Sequence, residues 1–348
     1  MTALGVSPAP VPSPGRAMRL LERLASLRLT LAILAALGLG VVVAYVSETR
    51  TVWALVGPLA ACAVNLLAAI ASNPVFRRQM PLLVFHLCLL ALVLLVAAGR
   101  LTYLKGQVEL TEGTWFEGRL TAAEAGPLHG GRLERVRFAN LGFRIDYDAG
   151  LRRGPTRNAV RYLDAAGREQ LQVIGDQTPL VLQGYRFYTS HNKGFAPTFR
   201  WRPGGGGEAL TGSVHLPAYP LHEYRQAQTW QLPGSDIAVW TQLQFDENLL
   251  DPDRPDEFKL PAEHRLVLRV GEGRWELRPG DGVDLPEGRL DYQGVRAWMG
   301  YTVFYDWTIP WLLAAALGAV GALGWHFWRK FAGRPWNGTL EQNNVGSA

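Results

Sequence analysis

The run PLLVFHLCLLALVLLVAAG, residues 81–99, decides how this chain is built, and it holds a single ionisable side chain, His86. A helix of about 20 apolar residues rising 1.5 Å each matches a bilayer core roughly 30 Å thick. An ionisable group inside such a span is costly and marks a functional candidate. Similar runs cover about 27–46, 52–71 and the segment 305–328, so the reading is four transmembrane helices at 27–46, 52–71, 82–99 and 305–328. Three precede a large polar middle, 101–304, and one follows it.

The ends complete the division. Residues 1–23 are rich in Pro, Ala and Ser and then in Arg, which predicts a disordered basic N-terminus. Residues 329–348 form a polar tail. Of the 348 residues, 48% are hydrophobic and 19% charged, and the net charge is +5. Those positive charges cluster beside the apolar runs: Arg16, Arg19, Arg23 and Arg28; Arg77 and Arg78; Arg329, Lys330 and Arg334. With four crossings they all fall on one face, and the opposite short loop carries only Arg50 balanced by Glu48. The positive-inside rule then predicts a multi-pass protein of the cell (inner) membrane, with both termini cytoplasmic and 101–304 extracytoplasmic. Trp53, Trp307, Trp311, Trp325 and Trp328 sit near span ends, as interfacial belts do. The basic charge thus has a topological explanation, and no RNA-binding signature accompanies it, so no nucleic-acid partner is expected.

The middle reads as β structure. Residues alternate apolar and polar in Phe143-Arg-Ile145-Asp-Tyr147 and in Arg265-Leu-Val267-Leu-Arg269. Asp164-Ala-Ala-Gly167 and Gly271-Glu-Gly273 each separate two such runs, as hairpin turns do. Gly204 to Gly207 adds punctuation, and no long 3.6-residue period appears. The expectation is an all-β domain, an antiparallel sandwich or open barrel.

His86 should lie about 7 to 8 Å inside the cytoplasmic edge by the helical rise. Its neighbours at three and four residues are Leu82, Leu83, Leu89 and Leu90, so a partner for its ring must come from elsewhere. Two readings stand. Neutral imidazole is an axial ligand for haem iron, and an apolar groove suits a porphyrin; alternatively, Asn65 of the second span, roughly 12 Å from the same face by the helical rise, could hydrogen-bond the ring between helices. His326, one turn from the end of the fourth span between Trp325 and Phe327, is a second candidate on the same side. His129, His191, His215, His222 and His264 are scattered through the middle without metal-ligand spacing and read as structural. Cys62 and Cys88 lie in apolar runs as small hydrophobes; a pairing between them is conceivable at mid-membrane, and without a CxxC neither makes this chain a thiol reductant. Asp251, Asp253, Asp256 and Glu257 lack the glycine of a calcium loop and are broken by Pro252 and Pro255, so they read as a solvated acidic loop. Asp306 reads as a helix-start carboxylate. No GxSxG, HExxH or Walker pattern is present, so no catalytic residue is assigned.

The order of several segments resembles the ResB-like (CcsB) family of cytochrome c biogenesis membrane proteins. Leu24-Ala-Ser-Leu-Arg-Leu-Thr-Leu31 resembles the start of that family's first span, and Phe85-His86-Leu87 its third-span histidine segment. Gly106-Gln-Val-Glu-Leu-Thr-Glu-Gly113 resembles the strand that follows, Gly184 to Tyr188 through Gly194 to Pro197 a recurrent outer-domain segment, and YTVFYDW (301–307) the return to the membrane. The resemblance implies a haem-handling subunit of a cytochrome c synthase complex, an accessory subunit of a haem lyase and not an enzyme alone. It would help to export haem b, a transient substrate, and attach it to CxxCH of apocytochrome c. The implied partners are a CcsA-type membrane protein carrying a WWD domain, apocytochrome c, a thiol reductant system and membrane lipid. It makes His86 an axial haem ligand, the chain's sole metal contact being through haem iron, with His326 a weaker candidate. The chain itself has no WWD-type loop. A membrane-anchored extracytoplasmic binding or sensor protein without a haem role is the alternative.

Overall fold

Helices occupy all four apolar runs. The structure, a computed structural model, describes residues 16–47, 51–164, 166–217 and 226–332. Glu48, Arg50, His222, Arg334 and residues 1–15 lie outside the described residues. The helices are α1 (Arg16–Leu24), α2 (Leu27–Val46), α3 (Val52–Ser72), α4 (Pro74–Arg78), α5 (Met80–Thr102) and α6 (Ile309–Phe331). Of these, α2, α3, α5 and α6 are long and apolar enough to cross a membrane. They form one unit of the chain: Met1–Tyr103, Gly126–His129 and Asp306–Ala348.

Small residues set the helix contacts, as expected where backbones must approach closely in an apolar solvent. A Cβ on Gly40 of α2 would stand 2.2 Å from the Ala54 carbonyl oxygen of α3. A Cβ on Gly99 of α5 would stand 2.9 Å from Thr308 Oγ1, and one on Gly318 of α6 3.0 Å from Cys88 Sγ. The last two contacts fix α5 and α6 as antiparallel neighbours.

Three stretches differ from the sequence expectation. Residues 16–23, expected to be disordered with the rest of the N-terminus, belong to helix α1; their Leu, Met, Arg and Glu are strong helix formers and no proline lies among them. The turn between the second and third spans contains α4, started by Asn73, whose side chain accepts a hydrogen bond from Val75 N at 3.0 Å, with Pro74 at the first helical position. Gly126–His129, expected within the β domain, joins the end of α5: Gly126 N donates to Tyr103 O (2.9 Å), Leu128 N to Leu101 O (2.8 Å) and His129 Nδ1 to Thr102 O (2.8 Å). The fourth helix begins at Ile309, and Asp306 braces its start by accepting from Thr308 N (2.9 Å) and Thr308 Oγ1 (2.6 Å).

The second unit, Leu104–Ala125 and Gly130–Tyr305, is all-β. Its strands are β1 (Leu104–Thr111), β2 (Trp115–Phe116), β3 (Ala122–Ala125), β4 (Phe138–Asp148), β5 (Arg152–Leu163), β6 (Glu169–Gly175), β7 (Leu180–Leu182), β8 (Tyr185–Pro203), β9 (Leu210–Ser213), β10 (Leu216–Pro217), β11 (Ala227–Gln231), β12 (Ala238–Gln244), β13 (Asp256–Glu257), β14 (Arg265–Val270), β15 (Gly273–Leu277), β16 (Gly282–Leu285) and β17 (Gly288–Tyr305). Among the described residues they make three antiparallel sheets and no closed barrel. One runs β10-β8-β17-β1-β3, with β7 and β9 added to β8 and β16 to β17. The second runs β13-β4-β5-β6 with β2 on β4, and the third β11-β12-β14-β15. Both expected hairpins form, at Asp164 to Gly167 between β5 and β6 and at Gly271 between β14 and β15.

Two hydrophobic cores lie in this unit, and the long strands β8 and β17 pass through both. Phe195, Phe199, Trp201, Leu290 and Tyr292 enter one core with Leu243, Leu266 and Leu268 of the third sheet. Tyr185, Phe187, Met299, Tyr301 and Val303 enter the other with Phe116, Phe138 and Val160. Strands this long cross two cores by changing course at bulges, and the β17–β8 register shifts between Tyr292 and Gly294 and between Met299 and Tyr301. At the second bulge only glycine fits: a Cβ on Gly300 would meet Ser190 Oγ at 2.6 Å and Asn192 O at 2.8 Å.

Candidate functional site

His86 stands on the second turn of α5, and its ring is held from three directions. Its Nδ1 lies 2.8 Å from the Leu82 carbonyl oxygen one turn earlier. Phe85 meets the ring edge-on at 5.2 Å between centroids. The buried Phe76 of α4 meets it at 4.6 Å and 62°. Asn73 and Pro74 start α4 and so place Phe76; the sequence carried that signal as an N-cap followed by proline at N1.

The Leu82 bond has a chemical consequence. A carbonyl oxygen can only accept, so Nδ1 carries the hydrogen, and the neutral ring keeps its lone pair on Nε2. Nε2 has no hydrogen-bond partner among the described residues. Metal-binding histidines are arranged in this way, one nitrogen tied to a carbonyl and the other left to coordinate.

Asn65, the alternative partner, is engaged elsewhere. It is buried in α3, where its Oδ1 accepts from Thr30 Oγ1 at 2.8 Å and its Nδ2 donates to Leu24 O at 2.5 Å. These bonds tie α3 to the end of α1 and the start of α2, and the Asn65–His86 bond does not form. His326 is half-buried and edge-on to Phe327 at 5.6 Å. The Gly99–Thr308 and Cys88–Gly318 contacts set His326 level with about residue 80, roughly 9 Å along the axis from His86 by the helical rise. The two histidines are therefore not brought together. Cys62 and Cys88 are both free thiols.

Two histidines of the β unit, His215 and His264, have local partners. His215 is stacked on Trp298 at 4.8 Å, with Nδ1 2.8 Å from Glu109 Oε2 and Nε2 3.0 Å from Thr111 Oγ1. His264 Nε2 is 2.7 Å from the Tyr292 hydroxyl, and burial lowers the ring's pKa. His191 is exposed on β8. Among the described residues no group of three or more His, Cys, Asp or Glu could hold a metal ion. The acids at 251–257 are held by their neighbours: Arg254 bridges Asp251 at 2.8 Å, and Arg144 bonds Glu257 through Nε and Nη2 at 2.5 and 2.7 Å.

Sequence reasoning missed two buried polar clusters. Asn158 Nδ2 donates to Asn140 Oδ1 (2.8 Å) and Gly142 O (2.7 Å), and its Oδ1 accepts from the Tyr301 hydroxyl (2.8 Å). Asn140 Nδ2 continues the chain to Leu110 O at 2.9 Å. Lys193, 4% exposed, donates from Nζ to Thr156 Oγ1 at 3.0 Å. Burial, reinforced by the nearby Arg153 guanidinium, lowers its pKa to about 8 against the pull of Asp176.

No protein-family model and no curated protein matches the chain. Among solved structures, a likeness is found to a protein described as "Cytochrome c Heme Lyase CcmF", at 14% sequence identity and a TM-score of 0.29. It covers 90% of this chain and 38% of that one, so the chain spans well under half of that protein's length. A likeness at this level identifies no function.

Proposed function

We propose that this chain is a haem-handling membrane subunit that works with a second protein in attaching haem to apocytochrome c. The observation that carries the reading is His86: an imidazole in an apolar helix, its Nδ1 committed to Leu82 O and its Nε2 left without a partner. Phe76 and Phe85 hold the ring in place, as preorganised ligation requires. The resemblance of the ordered segments to the ResB-like family supplies the substrate, haem b moving outward, and the acceptor, the CxxCH of apocytochrome c. His86 coordinates the iron through Nε2. As the resemblance to the ResB-like family implies, the other ligand to the iron would come from a CcsA-type partner carrying a WWD domain.

In this reading the protein sits in the cell inner membrane. The arginine-bearing ends of the helices, at Arg23, Arg77, Arg78, Arg329 and Lys330, face the cytoplasm. The β unit then lies outside, where it braces the partner or shapes the approach of apocytochrome c, and a separate reductant keeps the CxxCH thiols open. The chain acts as an accessory to that partner.

The test is the absorption spectrum of the complex purified with its partner from haem-sufficient cells. The expected result is a haem Soret band that is lost in His86→Ala and kept in His326→Ala. A wild-type complex without haem, or a band unchanged in His86→Ala, overturns the reading.

A further inference from the structure

We propose that α1 and α4 lie in the headgroup layer of the membrane and bind the phosphates of anionic phospholipids. Both short helices stand at the same end of the four spans. The Asn65 bonds hold the end of α1 and the start of α2 against α3, and α4 fills the connection from α3 to α5. Only Ala25 and Ser26 separate α1 from α2, so the two helix ends stand within about 11 Å of each other and α1 cannot leave the membrane surface. By the helical period, Leu20, Leu21 and Leu24 follow one side of α1, and Arg19, Glu22 and Arg23 follow the other. Leu20 is 60% exposed, so the protein itself does not cover the apolar side. An amphipathic helix tethered in this way rests along the interface with its leucines toward the acyl chains.

The positive charge at this end is not balanced within the chain. Glu22 is the sole acid there among the described residues. Arg23, Arg28, Arg77, Arg78 and Arg329 are exposed, and none of these side chains has a hydrogen bond or an ion pair among the described residues. The β unit differs: its arginines pair repeatedly with carboxylates, as in Arg144–Glu257, Arg202–Asp291 and Arg289–Asp284. Arg19 and Arg23, one helical turn apart, line a cavity of about 440 Å³ with Glu22 and Ser26. The anion within reach of groups held at a bilayer edge is lipid phosphate, which a guanidinium grips through two parallel hydrogen bonds. The phosphate of phosphatidylcholine carries its own ammonium, so a collar of net positive charge selects lipids that lack one. The inference rests on the spans and the arginines alone and holds whether or not His86 ligates iron.

The test is native mass spectrometry of the full chain in a neutral detergent, mixed with equal amounts of phosphatidylglycerol and phosphatidylcholine of the same acyl chains. Phosphatidylglycerol adducts should exceed phosphatidylcholine adducts by about fivefold or more, the worth of about one basic group near a charged surface. The variant Arg19→Gln/Arg23→Gln/Arg77→Gln/Arg78→Gln should lose most of that preference. Arg19→Lys/Arg23→Lys/Arg77→Lys/Arg78→Lys, which keeps the charge, should retain it. Arg144→Gln, at an exposed arginine of the β unit, should bind as wild type. All the variants should keep the wild-type far-ultraviolet circular dichroism, which separates lost binding from lost folding. Inorganic phosphate should not displace the bound lipid, because its acyl chains hold it against the apolar side of α1. Equal binding of the two lipids by wild type, an unchanged preference in the fourfold glutamine variant, an equal loss in Arg144→Gln, or displacement by inorganic phosphate each overturns the inference.

Discussion

Polar side chains do opposite kinds of work in the two units. In the helices they are few and each has a distinct duty: Asn65 and Thr30 tie α3 to α2, and His86 is left with an open nitrogen. In the β unit they are many, and the buried ones join into networks such as Asn140–Asn158–Tyr301 and Lys193–Thr156. The difference follows from the surroundings. An apolar background makes every polar group costly, so the few that remain have reasons of their own. A sheet unit of mixed composition can bury polar groups freely, provided they satisfy one another.

The contrast predicts an order of effects on stability. The largest belongs to Asn158→Leu, which strips partners from Asn140 and from the Tyr301 hydroxyl together; a loss of about 3 kcal/mol is expected in denaturant unfolding of the β unit. A loss under about 1 kcal/mol would mean that the network does not act as a unit.

Lys193 comes next. The unfolded chain holds this proton up to the ordinary lysine range, whereas the folded chain releases it near pH 8. Between those values the unfolded state binds more protons, so folding stability contributed by this group is lowest below about pH 8 and rises toward pH 10.5. Lys193→Met should stabilise the unit by of order 2 kcal/mol at pH 7 and flatten that rise. A variant equally stable at pH 7, with the rise intact, would place the pH dependence elsewhere.

Asn65→Leu should cost less, about 1 kcal/mol in unfolding within detergent, because hydrogen bonds between apolar helices are individually weak. A loss as large as that of Asn158→Leu would erase the distinction between the units. The smallest effect is expected for Arg144→Ala, which breaks an exposed ion pair with Glu257 and should leave the unfolding midpoint of the β unit unchanged.

The same contrast governs what could be read from the sequence. The four helices and His86 were legible because the apolar runs are long and nearly silent, so one histidine is conspicuous. The hairpins at Asp164 and Gly271 were legible from turn residues alone. Which asparagines would be buried was not: Asn140 and Asn158 look like any others in a polar segment, and their burial depends on pairings distant in sequence, such as Asn158 with Tyr301. Helix α4 carried a cap and a proline, yet it is a single turn embedded in a connection. The role of Asn65 was missed for a different reason. Depth along a helix can be counted from sequence, but the direction a side chain faces among its neighbours cannot, and Asn65 faces Thr30 and Leu24.

The central claim is that His86 Nε2 is an iron ligand, and chemical rescue tests it most directly. His86→Gly should yield a complex with the partner that lacks the haem Soret band, and imidazole added to the purified complex in the presence of haem should restore it. A His86→Gly complex that keeps its full haem spectrum without imidazole would contradict the account.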